Sequence, residues 1–212
     1  HALMVFTALI CCGVMVNITV VIPTVTVDDL TLIEAGAVVG SYSMGALAGL
    51  AVFYRISKES IRSAYLLHAL FMAIGNLGYA FASGLFVNTD ASPGWLYFTR
   101  AIIGLEGAVM YNSIVALIHF SAAKDYMKTF AVYQFFIGLG MVLGPGLSAI
   151  FYAIGTAAGL DAAAALINFV IFLYSIGLFI ALLLWLPENE ELEALSKEMS
   201  NTMRGSSGEE TA

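Results

Sequence analysis

Arg100 and Glu106 stand six residues apart in a stretch, Trp95 to Phe120, that is otherwise free of Asp, Glu, Lys and Arg. In lipid, a charged side chain near the centre of an apolar helix costs about 2.5 to 3.5 kcal/mol even on the lenient insertion scale. Two such residues point to use: an ion or substrate contact, and a carboxyl that can take up and release a proton. Six helical residues advance roughly 9 Å and rotate about 600°, so the two side chains sit about 120° apart and are poor direct partners. Each is expected to face a cavity or a neighbouring helix. Arg100 shares its stripe with Gly104, Gly107 and Tyr111, and Glu106 shares another with Met110 and Ser113. The competing structural reading is an interhelical pair.

The elements that must position these residues are membrane helices. Five further stretches of twenty or more residues carry no Asp, Glu, Lys or Arg. A span of about 20 residues matches a hydrocarbon core of roughly 30 Å, and a helix satisfies its own backbone polar groups there. The predicted spans are Ala2 to Thr24, Ala35 to Tyr54, Ser63 to Val87, Trp95 to Phe120, Thr129 to Ile154 and Ala162 to Leu186. Composition agrees: 60% apolar residues, 11% charged residues and a mean hydropathy of +0.91 lie outside the range of soluble chains, about a quarter charged. The expected fold is an all-α membrane protein with a six-helix transmembrane domain over residues 1–186. Residues 187–212 form an acidic tail, since seven of the fifteen carboxylates fall between Glu188 and Glu210. The first span is too long for a signal h-region and lacks a basic n-region.

Lys and Arg set the orientation. Arg55, Lys58 and Arg62 form a basic loop between spans two and three, Lys124 and Lys128 lie between four and five, and Lys197 and Arg204 follow six. The opposite loops carry Asp28, Asp29, Glu34, Asp90 and Asp161. The positive-inside rule then puts both termini in the cytoplasm. Helix packing in lipid relies on small residues. Gly36 and Gly40, then Gly45 and Gly49, are spaced for close contact along span two; Gly140 and Gly144, with Pro145 beside them, do the same in span five.

Other chemistry is weakly signalled. Adjacent Cys11 and Cys12 have no metal-ligand spacing, and His68 and His119, near cytoplasmic helix ends, lack a third ligand, so packing, snorkelling or a local hydrogen bond is expected and no metal or cofactor. The run from Gly40 to Gly45 is not a nucleophile elbow, which counts against an enzyme. Nothing resembles a nucleic-acid surface.

Two stretches carry a family resemblance. Arg100-Ala-Ile-Ile-Gly104-Leu-Glu106-Gly107-Ala108 resembles the span-four signature of the major facilitator superfamily, and Gly140-Met-Val-Leu-Gly144-Pro145-Gly-Leu-Ser148 resembles its span-five signature. The loop from Gly49 to Lys58 departs from the superfamily pattern, having basic residues but neither the Asp nor the second Gly. Its Tyr54-Arg55-Ile56-Ser57-Lys58-Glu59 is similar to the branch that includes lysosomal facilitators and SPX-type plant vacuolar phosphate transporters.

That resemblance implies two inverted three-helix repeats, with spans one, two, four and five lining a cavity and three and six facing lipid. It also implies a second six-helix half, supplied by the same chain beyond residue 212 or by a homodimer mate, with residues 187–212 starting the linker. The implied function is secondary transport of a small solute by alternating access, coupled to an ion. Arg100 and Glu106 would serve it, supported by Asn17, Tyr111, Asn112 and Gln134, and the positive Arg100 favours an anion. The alternative is a non-transporting accessory subunit of a larger membrane assembly, derived from such a transporter.

Overall fold

The computed structural model describes residues 2–27, 30–86, 93–120, 126–191 and 194; the side chains of residues 2, 21–27, 57–59, 109–120, 126, 128 and 129 lie outside that description. Among the described residues the secondary structure is entirely helical: α1 (Ala2–Val27), α2 (Leu32–Glu59), α3 (Ile61–Ala82), α4 (Pro93–Phe120), α5 (Tyr126–Ala157), a 3₁₀ turn (Ala163–Ala165) and α6 (Leu166–Trp185). Five of the helices are long and apolar enough to cross a membrane. The other, α4, has 28 residues, long enough for a hydrocarbon core at about 1.5 Å per residue.

Local chemistry sets the helix ends. Thr31 caps α2 in a reciprocal box, its hydroxyl accepting from the Glu34 amide while the Glu34 carboxylate accepts from the Thr31 amide at 3.0 Å. Such a cap satisfies two orphan donors of the first turn. The turn from α2 to α3 is a single extended residue, Ser60, which closes α2 by donating to Ile56 and opens α3 by accepting from the Ser63 amide at 3.1 Å. Span three was expected to reach Val87, but α3 ends at Ala82 because Gly84 takes a φ of 83° and Leu85 folds back onto the Ala80 carbonyl. Gly159, with φ 73°, stops α5 in the same way. Only glycine adopts this left-handed conformation without a Cβ penalty. The chain then makes the 3₁₀ turn over three alanines, so α6 begins at Leu166 rather than Ala162.

Packing follows the small residues, but only some of those singled out by spacing. Tight pairs form between α2 and α4 and between α1 and α5, while α3 lies against α4 and α6. A Cβ at Gly45 would run into the Ala101 backbone, and one at Gly104 into the Tyr42 backbone, so α2 and α4 touch main chain to main chain. Gly49 sits against Leu105 and Ala108. On the other side, Gly140 meets the Cys12 carbonyl and Gly144 meets Thr19. Gly36 and Gly40 were expected to pack as well, yet both face open space on the exposed side of α2. Pro145 is likewise exposed, since a rotation of about 100° from Gly144 turns it away from α1. The interior is thus concentrated on α1, whose span is 67% buried, against 28% for α2 and 17% for α5.

At the end of the bundle where α3 begins, Arg62 ties it to the end of α6. Its guanidinium donates to Glu188 and to the Leu183 carbonyl, both at 3.0 Å. Arg55 of the same basic segment is exposed, and the Lys58 side chain lies outside the described residues. Of the acidic tail, residues 189–191 are helical.

Overpacking a core contact costs about 1 to 3 kcal/mol. Gly45→Leu and Gly104→Leu should each lower unfolding free energy in detergent by at least that range, whereas Gly36→Leu should stay within about 0.5 kcal/mol of the parent. Equal losses at all three positions would contradict the packing described.

Candidate polar site between α1 and α4

Arg100, Glu106 and Asn17 are fully or almost fully buried, and they meet where α1 crosses α4. The Asn17 amide donates to Glu106 Oε1 at 2.6 Å. One turn and a half away on α4, the Arg100 guanidinium donates through Nη2 to the Ile18 carbonyl at 3.2 Å. The same guanidinium carbon lies 4.9 Å from the centre of the Tyr42 ring on α2. Each intramembrane charge therefore finds a polar partner on α1, and the arginine adds an aromatic face. A desolvated cation over such a face gains about 2 kcal/mol or more. The small residues permit this arrangement. Gly104 and Gly107 leave no room for a side chain between α4 and Tyr42, so the ring can slide over Arg100.

The α3 helix contributes a group that the sequence reading undervalued. His68 was expected to snorkel or to make a local hydrogen bond; instead it is wholly buried, with Nδ1 3.2 Å from the Glu106 backbone oxygen on α4. The signal was present as a stripe of larger polar and polarisable side chains at helical spacing, His68, Met72, Asn76 and Tyr79, all buried. Tyr42 was also missed, since an aromatic residue on a glycine-rich helix reads as packing.

The remaining candidates are distributed differently. Gln134 is exposed on α5, and no hydrogen bond joins it to Asn17, Arg100 or Glu106 among the described residues. Tyr111 and Asn112 continue α4, and their side chains lie outside the described residues, as does that of His119. Cys11 and Cys12 are free thiols, Cys11 buried in the apolar core. Among the described residues no cluster of metal-ligating side chains is present.

Several buried polar atoms of this site have no partner among the described residues: Asn17 Oδ1, Glu106 Oε2, Arg100 Nε and His68 Nε2. Apolar packing cannot satisfy them. The arrangement is chemically open, with a fixed positive charge, a carboxyl and an imidazole each holding one unused polar atom.

The family model of the Major Facilitator Superfamily matches residues 3–205. The chain belongs to the major facilitator superfamily. No curated protein and no solved structure shows a significant match to it. Superfamily membership, together with five apolar spans, makes this facilitator a multi-pass integral membrane protein and a transporter in general class. Members of the superfamily are transporters rather than enzymes.

The ring of Tyr42 is expected to stabilise this facilitator through Arg100. Tyr42→Leu should lower unfolding free energy in detergent by about 2 kcal/mol, and Tyr42→Phe, which keeps the aromatic face, by less than half as much. A phenylalanine variant that fell as far as the leucine variant would show that the ring is not what Arg100 uses.

Proposed function

We propose that this chain is one half of a secondary active transporter that moves a small anionic solute by alternating access, coupled to an ion. The observation that carries the reading is the buried set of Asn17, Arg100 and Glu106 at the α1–α4 crossing, with polar atoms left over for a guest. A helix pair that merely held the bundle together would have little need of these ionisable groups in its apolar interior.

In this reading α1–α3 and α4–α6 are inverted three-helix repeats, and six helices cross the membrane with both termini cytoplasmic. The pairing of α2 with α4 and of α5 with α1 supports it, because exchanging the repeats maps one tight, glycine-based pair onto the other. A second six-helix half, either further along the same chain or a homodimer mate, covers the exposed faces of α2 and α5. Gly36 and Gly40 on α2, and Gly138 and Gly146 on α5, are exposed small residues with nothing within 4 Å, as a face awaiting close contact would be. Residues 187–212 begin the linker, anchored at its root by the Arg62–Glu188 pair. Arg100 supplies the charge that draws the anion, and Glu106 the carboxyl whose protonation accompanies the conformational exchange.

Vesicles carrying the full-length protein should take up at least one member of a panel of small anions comprising phosphate, sulfate and monocarboxylates. Arg100→Ala should abolish that uptake with membrane levels unchanged. Normal uptake kinetics in the variant would reject the assignment, and uptake of none of these anions by the parent would favour the accessory-subunit alternative. A tag placed after Leu186 should be reached only from the cytoplasmic face; access from the outer face would overturn the topology.

A further inference from the structure

We propose that Asn76 on α3 and Asn168 on α6 form a second buried polar site, one that binds a water molecule as the bridge between the two helices. Among the described residues neither amide is bonded to Asn17, Arg100 or Glu106, so the site is separate from the α1–α4 crossing.

Helix register brings the two amides to one level. Arg62, at the start of α3, donates to the Leu183 carbonyl near the end of α6; past the other end of α3, the Phe86 ring meets Phe169 with 5.0 Å between centroids. The two helices therefore run antiparallel. Asn76 lies 14 residues along α3 from Arg62, and Asn168 lies 15 residues back along α6 from Leu183, rises of about 21 and 22 Å. Met72, one turn before Asn76, shares an apolar cluster with Ile171, one turn after Asn168, and with Val16 and Val20 of α1. Both amides are turned inward, Asn76 fully buried and Asn168 2% exposed. On α6, Asn168 continues the buried stripe of Ile171, Ser175, Leu178 and Leu182, and α3 is the helix that α6 packs against most closely.

The unused atoms are complementary. A side-chain amide has two N–H donors and one acceptor oxygen. Asn76 donates through Nδ2 to the Met72 carbonyl at 2.9 Å, one turn back in its own helix, and its Oδ1 has no partner among the described residues. Asn168 has no partner for Nδ2. One acceptor and one donor are thus left over at the same interface, and they are not bonded to each other. A group that donates to Oδ1 while accepting from Nδ2 meets both needs, and water is the smallest that does so. A cation would be repelled by the N–H and an anion by the carbonyl oxygen. Acyl chains offer neither function.

The bridge acts where α6 is otherwise held by size alone. Among the described residues, the side-chain hydrogen bonds that tie α6 to other helices are Arg62 to the Leu183 carbonyl and Tyr174 to the Leu9 carbonyl at 3.2 Å. Both lie near the middle of α6 or beyond it. The first half of α6 gains its polar tie from the bridged amides, in a solvent that gives apolar helices no incentive to associate.

The test uses the full-length protein in phosphatidylcholine vesicles, a lipid whose headgroup brings no hydroxyl of its own. Solid-state NMR follows through-space magnetisation transfer from water to the Asn168 side-chain amide, whose signal is assigned by its loss in Asn168→Leu. The parent should show this transfer, and Asn76→Leu should lose it. Absence of transfer in the parent, or its persistence in Asn76→Leu, would overturn the proposal. Reversible unfolding in lipid–detergent micelles gives a second reading. Asn76→Leu and Asn168→Leu should each lower the folded-to-unfolded ratio about tenfold, because each leaves a buried amide atom unmet, whereas the double variant, with both partners replaced by apolar groups of similar shape, should return to within about threefold of the parent. Losses that simply multiply in the double variant would mean that the two amides share no site, and would overturn the proposal as well.

Discussion

A charged or strongly polar side chain inside an apolar bundle must bring its own partner, and here α1 supplies the partners for α4. The Asn17 amide on the Glu106 carboxyl and the Ile18 carbonyl on the Arg100 guanidinium are two contacts on adjacent residues of one helix. Removing either partner would leave a buried polar group unmet, a larger penalty than the net gain of making an ordinary hydrogen bond. The crossing of α1 over α4 is therefore fixed by polarity, whereas the crossings around it are fixed by size.

Size acts through a few glycines. Gly45, Gly49 and Gly104 bring α2 and α4 into backbone contact, which places the Tyr42 ring over Arg100; Gly140 and Gly144 seat α5 on α1 behind Asn17. Lipid tails offer no hydrophobic incentive for helices to associate, so such close approach is what holds the bundle. Gly36, Gly40, Gly138 and Gly146, by contrast, meet no packing neighbour and lie on exposed faces of α2 and α5.

Much of this could be read from residue order, and the failures have physical causes. Charge-free stretches locate helices well because the hydrocarbon core tolerates little else. The ends of those helices were less legible, since α3 stops at a glycine turn that hydropathy alone does not see. Arg100 and Glu106 stood out by their cost, and their angular separation correctly implied separate partners. Asn17 was picked out as a supporting residue, but its pairing with Glu106 spans 89 residues of sequence, and no local pattern carries that. His68 was assigned to a helix end because it lies in the third turn of α3, whereas its burial is decided by how α3 leans on α4. Four-residue spacing identified all the packing glycines of α2 alike, yet only two of them face α4, because spacing fixes a stripe without saying what lies opposite.

The most direct measurement of the central contact is a double-mutant cycle on Asn17→Ala and Glu106→Ala, with unfolding followed reversibly in lipid–detergent micelles. A hydrogen bond to an acidic group in this interior predicts a coupling energy of about 1.5 to 3 kcal/mol. Single losses that add to within about 0.5 kcal/mol would mean that the two side chains do not depend on each other. The polar crossing of α1 and α4 would then not be what organises the bundle.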